Sequence, residues 1–227
     1  MKPKEPKPDP CNPADPESYY PVFLNLRGKR TVVVGGGKVA ERKIVSLLKA
    51  GADITVISPV ITKKIEKEQL KNKLKHVNRQ YRKNDLNNAF LVIAATDSLV
   101  TNKKVSDDAA CLVNVVDTPD LCNFIVPATV NRGPLSIAVS TSGVSPALSR
   151  SIREELEKAF GFEFARYLDS LRKIRAEAME EIQDARKRSR LLKSLASAKM
   201  LEILRGRGCK EAKRVAEDFM KKAKKGS

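Results

Sequence analysis

One stretch limits the folds open to this chain more than any other: "RTVVVGGGKVAERKIVSLLKAGADITVIS", residues 30–58. "RTVVVG" is a short β-branched apolar run, the pattern of a strand buried on both faces. "KVAERKIVSLLKAG" carries Ala40, Ile44, Leu47 and Leu48 at helical spacing, and Gly51 stands where a C-terminal capping glycine belongs. "DITVIS" reads as a second strand. Strand, helix and strand in this order join as a right-handed crossover between parallel strands. A doubly wound parallel sheet is therefore the expected frame.

The rhythm continues to Asp117. "VITKKIEKEQLKNKL" predicts a helix with a charged outer face, "HVNRQY" a weaker third strand and "AFLVIAAT" a strong fourth. "NKKVSDDAAC" follows as a helix and "LVNVV" as a fifth strand. Beyond Asp117, "NFIVPATV" and "PLSIAVST" are extended runs joined by the turn signal "NRGP", so they pair antiparallel. "SPALSRSIREELEKAFG" then opens a helix, with Ser145 as its N-cap and Pro146 at its first position. Leu168, Leu171, Ile174, Ala178 and Ile182 form the first of three apolar stripes, which predict a helical remainder packed along core seams. The expected organisation is a leader over 1–20, a nucleotide-binding Rossmann domain over 21–117, a small β-containing region over 118–150 and a helical domain over 151–227.

The three glycines sit where a strand turns into a helix. Such a turn lets backbone approach a phosphate, and the helix start offers free N–H groups and a positive dipole end. Gly35 makes the tight turn, Gly37 takes the close-approach position, and Ala40 supplies the small third residue needed for helix–strand packing. Gly35, Gly36, Gly37, Lys38 and Val39 are therefore the expected pyrophosphate seat. A glycine turn of no function is the plain alternative, and the complete βαβ setting favours a dinucleotide. The ribose acid usual in NAD sites is absent: the second strand ends in Ser58, Pro59 and Val60, and Asp53 lies at its other end. These three residues are the expected ribose contacts, and Lys63 and Lys64 leave NAD and NADP both open. Thr96 and Asp97 follow the fourth strand on the ligand-bearing edge; capping of the next helix is their alternative task.

Charge adds a second constraint. The 227 residues carry a formal net charge of +17, and from Arg186 onward 15 Lys/Arg face 4 Asp/Glu. Such a surplus suits a polyanion, whether nucleic acid, anionic lipid or a polycarboxylate metabolite, or a simple solvated surface. Aromatic residues are 5% with no Trp, which argues against stacking platforms for single strands. Cys11, Cys111, Cys122 and Cys209 are widely spaced, and His76 is the single histidine, so no protein metal site is expected. No apolar run has membrane-spanning length. The leader, with seven prolines through position 21, lacks a signal-type apolar stretch, so a reducing cytoplasmic setting is expected.

Four segments then point one way: "PVFLNLRGKRTVVVGGGKVAERK", "FLVIAATDS", "NVVDTPDLCNFIVPATV" and "LSIAVSTSGVSPALSRSIREELE". In this order they resemble the precorrin-2 dehydrogenase family, the dehydrogenase/ferrochelatase modules of siroheme synthesis, from about Pro21 to Glu157. The resemblance implies a homodimer in which 118–150 is the dimerisation region, and NAD-dependent oxidation of precorrin-2 to sirohydrochlorin. Some members also insert ferrous iron and others only dehydrogenate, and the sequence leaves both open. The methyltransferase module fused to some members is not expected, because the chain ends too soon.

The family's key acid falls on Asp117, at the carboxyl end of a central strand, where doubly wound folds bind ligands. By residue type alone it reads as a turn aspartate. With the resemblance it becomes the base that takes the proton a tetrapyrrole must lose after giving up a hydride. The same carboxylate would assist departure of the pyrrole N–H protons if iron enters, with the iron held by substrate nitrogens. The loop of Ser140, Thr141, Ser142 and Gly143 lines the substrate cleft in the family, although alone it reads as a loop with an N-cap. Asn114 and Asn123 are further polar candidates, and Arg150 and Arg153 are candidate partners for the substrate's carboxylates.

Two other functions are compatible with the residues. One is a dinucleotide-sensing Rossmann module with a basic tail on nucleic acid. It lacks aromatic interleaving and a recognition helix, so no nucleic acid and no membrane partner are expected. The other is a tetrapyrrole chelatase or carrier without dehydrogenase activity.

Overall fold

The computed structural model describes residues 19–225. The first eighteen residues of the expected leader lie outside that range. The chain divides into two compact units, the first running to Val126 and the second beginning at Pro127.

The first unit is a five-stranded parallel sheet. Its strands are β1 (Arg30–Val34), β2 (Asp53–Ile57), β3 (Lys75–Val77), β4 (Leu91–Ala94) and β5 (Leu112–Val115), ordered β3-β2-β1-β4-β5. Val32 and Val34 face one core with Val92, Val113 and Val105. Val33 faces the other with Ile54, Ile93 and Ile44. Strands buried on both faces read as near-continuous apolar runs, as β1, β2 and β4 do, whereas β3 at the sheet's edge is exposed to half-buried. Each fully buried Val or Ile contributes about 1.5–3 kcal/mol relative to exposure.

Helix α1 (Lys38–Lys49) buries Ala40, Ile44 and Leu47 against the sheet. It ends where Gly51, at φ +76°, donates its N–H to Leu48 and Ala52 donates to Leu47. That pair of bonds is a Schellman close, and its left-handed residue favours glycine. Helix α2 (Lys63–Leu70) starts on Thr62, whose hydroxyl accepts the Ile65 N–H. It is shorter than the expected 60–74, because Asn72 turns left-handed and Leu74 returns to the core. The third strand is likewise shorter than "HVNRQY": Arg79 turns away to pair with Asp85. Helix α3 (Leu99–Asp108) begins three residues before the expected helix, capped by Ser98.

The second unit opens with the antiparallel hairpin β6 (Ala128–Arg132) and β7 (Leu135–Val139), turning on Gly133 and Pro134 as expected. Helix α4 (Pro146–Ala159) follows, with Ser145 accepting the Leu148 N–H and Pro146 at its first position. Helices α5 (Phe162–Glu181), α6 (Ala185–Leu195) and α7 (Ala198–Lys225) enclose their own core. Ile174, Ala178, Ile182, Leu191, Leu195, Ala212, Ala216 and Met220 of the stripes are buried there, joined by Tyr167 and Leu204 from outside them, whereas Ala198 and Leu201 of the second stripe are exposed. The Tyr167 hydroxyl donates to the Leu195 carbonyl at 2.8 Å, and burial pushes its pKa up to about 12. Helix α7 breaks at Gly208, whose φ is +76°.

The division falls nine residues later than the expected boundary at 117/118. Residues 122–124 bond along the open edge of β5 and the Leu121 carbonyl accepts from Ser106 of α3, which keeps this segment with the first unit. Only the second half of "NFIVPATV" forms a strand. Cys111, Cys122 and Cys209 are free thiols. Among the described residues, no helix is long and apolar enough to cross a membrane.

Candidate functional site

In a sheet ordered β3-β2-β1-β4-β5, the chain reverses direction between β1 and β4, and the crevice beyond their carboxyl ends is the place for a ligand. The glycine turn lies there. Gly35 has φ +116°, and a Cβ on it would collide with the Ala95 carbonyl at the end of β4. A Cβ on Gly36 would collide with the Val60 carbonyl and come within 2.9 Å of the Ser58 hydroxyl oxygen. A Cβ on Gly37 would meet nothing within 4 Å. The first two glycines let backbone segments cross, and the third leaves room in front of the helix.

Helix α1 has no side-chain cap, and its first internal bond is Glu41 N–H to the Gly37 carbonyl at 2.9 Å. The N–H groups of Lys38, Val39 and Ala40 thus remain for an anion. Ala40 is fully buried, as expected of the third fingerprint position. These features fit the pyrophosphate of a dinucleotide.

The second-strand end is packed beside this turn. The Ser58 hydroxyl donates to the Val60 carbonyl at 2.7 Å, while the Ser58 carbonyl accepts from His76 Nε2 at 2.9 Å. Pro59 and Val60 are exposed. Lys64 pairs with Glu41 at 3.3 Å, and the Thr62 hydroxyl donates to the same carboxylate at 2.7 Å. The Thr62 bond first, with Lys64 adding to it, holds the Glu41 carboxyl below the usual range. Lys64 thus bridges the α1–α2 join while its side chain stays largely exposed.

Thr96 does not cap α3, a task that falls to Ser98, but it is bonded to that helix. Its hydroxyl donates to Asn102 Oδ1 at 2.7 Å, and its carbonyl accepts from Asn102 Nδ2 at 2.9 Å. Asn102, buried in α3, thereby ties the end of β4 to the helix start. No sequence signal singled Asn102 out. Asp97 is exposed beside that join.

Asp117 follows β5 at the carboxyl ends of the strands, but β5 is an outer strand of the sheet and not the expected central one. Its φ is +58°, a left-handed conformation that few residues other than glycine adopt, aspartate being among the more tolerant. The side chain is exposed and makes no hydrogen bond or ion pair among the described residues. A carboxylate held on a strained turn, without an internal partner, is available to a ligand. Lys43, half-buried on α1, lies near it. Burial first, then the charge of Arg42, lowers the Lys43 pKa, while Cys122 and Asp117 act the other way.

The two asparagine candidates have other work. Asn123 accepts the Val113 N–H at 2.8 Å and donates to the Cys111 carbonyl at 2.8 Å. Asn114 is buried and donates to the Phe124 carbonyl at 3.1 Å. Both amides fasten residues 122–124 along the free edge of β5.

In the second unit, the loop 140–145 is laced by its own hydroxyls. Thr141 Oγ1 donates to the Ser145 carbonyl and accepts the Ser145 N–H, both at 3.0 Å. It also meets the buried Ser149 hydroxyl at 3.1 Å. Ser140 accepts the Ser142 N–H at 3.0 Å. Ser142 and Gly143 have φ of +52° and +89° and project into solvent. At the start of α4, Pro146 has no N–H, Ser145 takes that of Leu148, and Ser149 donates to the Ser145 carbonyl. Ala147 alone keeps a free N–H in that first turn, so α4 is a poorer anion seat than α1. Arg153 is paired with Glu154 and Glu157 at 3.0 and 2.8 Å, and Arg150 is exposed. Among the described residues no group of three acidic, Cys or His side chains could hold a metal.

Comparison with known proteins agrees with this geometry. An NAD(P)-binding family model matches residues 22–128, and a model described as sirohaem biosynthesis protein central matches 132–159. The siroheme synthase of Methylobacillus flagellatus is 44% identical over 140 residues, covering 60% of this chain and 30% of that protein. That of Thioalkalivibrio sulfidiphilus is 36% identical over 188 residues, covering 82% and 38%. The chain thus spans about a third of the length of these curated relatives. A solved structure, SirC, precorrin-2 dehydrogenase, is 30% identical with a TM-score of 0.76, covering 88% of this chain and 100% of that one.

Proposed function

The chain belongs to the precorrin-2 dehydrogenase family, and from that premise we propose that it oxidises precorrin-2 to sirohydrochlorin with NAD+. One observation carries the reading. An uncapped helix start behind Gly37 and an unpartnered Asp117 carboxylate share the carboxyl edge of one parallel sheet.

When bound, the nicotinamide dinucleotide supplies the hydride acceptor. The N–H groups of Lys38, Val39 and Ala40 hold its pyrophosphate, and Gly37 leaves room for it. Loss of a hydride leaves the tetrapyrrole one positive charge richer, and the ring must then release one proton. Asp117 accepts that proton and passes it to solvent, which its exposure permits. The substrate's carboxylates are drawn by the positive surface.

We place the dimer contact in the second unit. The two-stranded sheet β6–β7 leaves an unpaired edge on each strand, and Val144 and Leu148 are 75% and 52% exposed. Sedimentation should give twice the 25.1 kDa chain mass; a monomer at working concentration would remove this contact.

The deciding experiment is a coupled assay of purified protein with precorrin-2 and NAD+, with and without ferrous iron. NADH and the sirohydrochlorin spectrum are expected to appear together. Siroheme formed only with both enzyme and iron would add ferrochelatase activity. Tetrapyrrole binding without NADH formation would overturn the dehydrogenase reading in favour of a carrier.

A further inference from the structure

Among the described residues the edge of β5 away from β4 has no neighbouring strand, yet the outward-facing groups of Val113 and Val115 have partners. Asn123 exchanges bonds with Val113 through its side chain and its own N–H, the latter at 3.1 Å. At the next outward-facing position the partner is a thiol. The Val115 N–H donates to Cys122 Sγ at 3.1 Å, and Asn114 Nδ2 donates to the same sulfur at 3.5 Å. The thiol lies 3.2 Å from the Val115 carbonyl and 3.3 Å from the Thr118 carbonyl, either of which can accept its proton. Val115 precedes Asp117 and Thr118 follows it. One side chain therefore grips both legs of the turn whose vertex is the left-handed Asp117.

We propose that Cys122 is a positioning residue for Asp117: its thiol clamps the Val115–Thr118 turn and so aims the carboxylate. The proposal rests on the reading of Asp117 as proton acceptor. A left-handed aspartate is a local strain, and such strain persists only where surrounding bonds over-determine it. The Thr118 N–H bond to the Val115 carbonyl is long, at 3.4 Å, so the turn's own closure is weak. The sulfur supplies the short contacts. Cys111 offers an internal control, because its thiol makes a single 3.8 Å contact with the carbonyl of its neighbour Leu112.

The test compares Cys122→Ala, Cys122→Ser and Cys111→Ala in the full chain. Cys122→Ala should lower kcat roughly 10- to 100-fold, the scale of a small misplacement of a reacting group. Its affinity for NAD+ should not change, since the glycine turn is a separate loop. Cys122→Ser keeps a donor and an acceptor at the same place and should restore most of kcat. Cys111→Ala should match wild type. Amide hydrogen exchange reads the clamp without turnover: the Val115 N–H should exchange roughly tenfold faster in Cys122→Ala and recover in Cys122→Ser. Wild-type exchange at Val115 in the alanine variant would overturn the clamp. Unchanged kcat with faster exchange would overturn its role in aiming Asp117. Equal losses of kcat and NAD+ affinity would mark Cys122 as a general fold residue and overturn the proposal as well. A wild-type chain that turns over no precorrin-2 would sink the functional reading instead, leaving exchange at Val115 to decide the clamp alone.

Discussion

The carbonyl oxygen of Val60 occupies the space that a β-carbon on Gly36 would need, so the loop after β2 rests directly on the backbone of the glycine turn. Gly36 and Gly37 are adjacent, yet they are glycines for different reasons. Gly36→Ala forces the Val60 loop to move and should lower both thermal stability and NAD+ affinity. Gly37→Ala meets nothing in the free protein and should leave the melting temperature unchanged while weakening NAD+ binding tenfold or more, about 1.4 kcal/mol. Calorimetric melting and an NAD+ titration on both variants separate the two; a destabilised Gly37→Ala would show that the turn serves packing only.

Asp117 combines an unpartnered carboxylate with a left-handed backbone, and two substitutions divide those properties. Asp117→Asn keeps a residue tolerant of that conformation and removes the base. Its turnover of precorrin-2 should fall by roughly 10²–10⁴ with melting temperature and NAD+ affinity intact. Asp117→Gly should lose turnover equally while remaining folded. Undiminished turnover in the asparagine variant would exclude Asp117 as the proton acceptor.

Asn102 joins β4 to α3 through bonds to the Thr96 carbonyl, N–H and hydroxyl. Asn102→Leu fills similar volume but leaves those groups without a partner beside a 4% exposed site. Chemical denaturation should report a loss of about 1–3 kcal/mol. A neutral result would mean that water replaces the amide.

Asp85 gives the first unit a pH-dependent element. Its carboxylate accepts both Arg79 guanidinium nitrogens at 2.8 and 2.6 Å and the Arg82 N–H at 2.7 Å. The Arg79 bonds, opposed by burial and aided by Arg82, hold its pKa below the usual aspartate value. A carboxyl depressed in the folded state stabilises it fully above the ordinary value and loses that contribution as pH falls toward the folded one. Asp85→Asn should therefore cost about 1–3 kcal/mol at neutral pH, with the gap from wild type closing below about pH 4. A gap constant from pH 7 to pH 3 would assign the loss to shape rather than charge.

Much of the fold was legible because its signals are local. The doubly buried β1, the Schellman glycine at 51, the Ser145 cap with Pro146 behind it, and the "NRGP" turn each depend on a few adjacent residues. Helix and strand ends were less legible. The ends of α2 and β3 are set by Leu74 returning to the core and by Arg79 reaching Asp85, contacts that local spacing does not encode. At the site, residue type identified the glycine turn, whereas Asp117 by type alone reads as a turn aspartate and became a candidate only through family likeness. Residue type did not show that Asn114 and Asn123 bond the backbone along the edge of β5, because an amide suits a ligand and a bare strand edge equally well.

The sequence by itself determined that a parallel sheet would present a glycine turn and an acid at strand ends, since period, β-branching and glycine placement act within one or two turns of chain. Only the tertiary structure decided which polar groups remain free. Gly36 is taken by Val60, Thr96 by Asn102, Lys64 by Glu41 and Asn123 by the edge of β5, each through a partner distant in sequence or on another element. What those pairings leave uncommitted is the start of α1 and the carboxylate of Asp117. Buried polar groups must find partners, and that competition is settled only when the chain has folded.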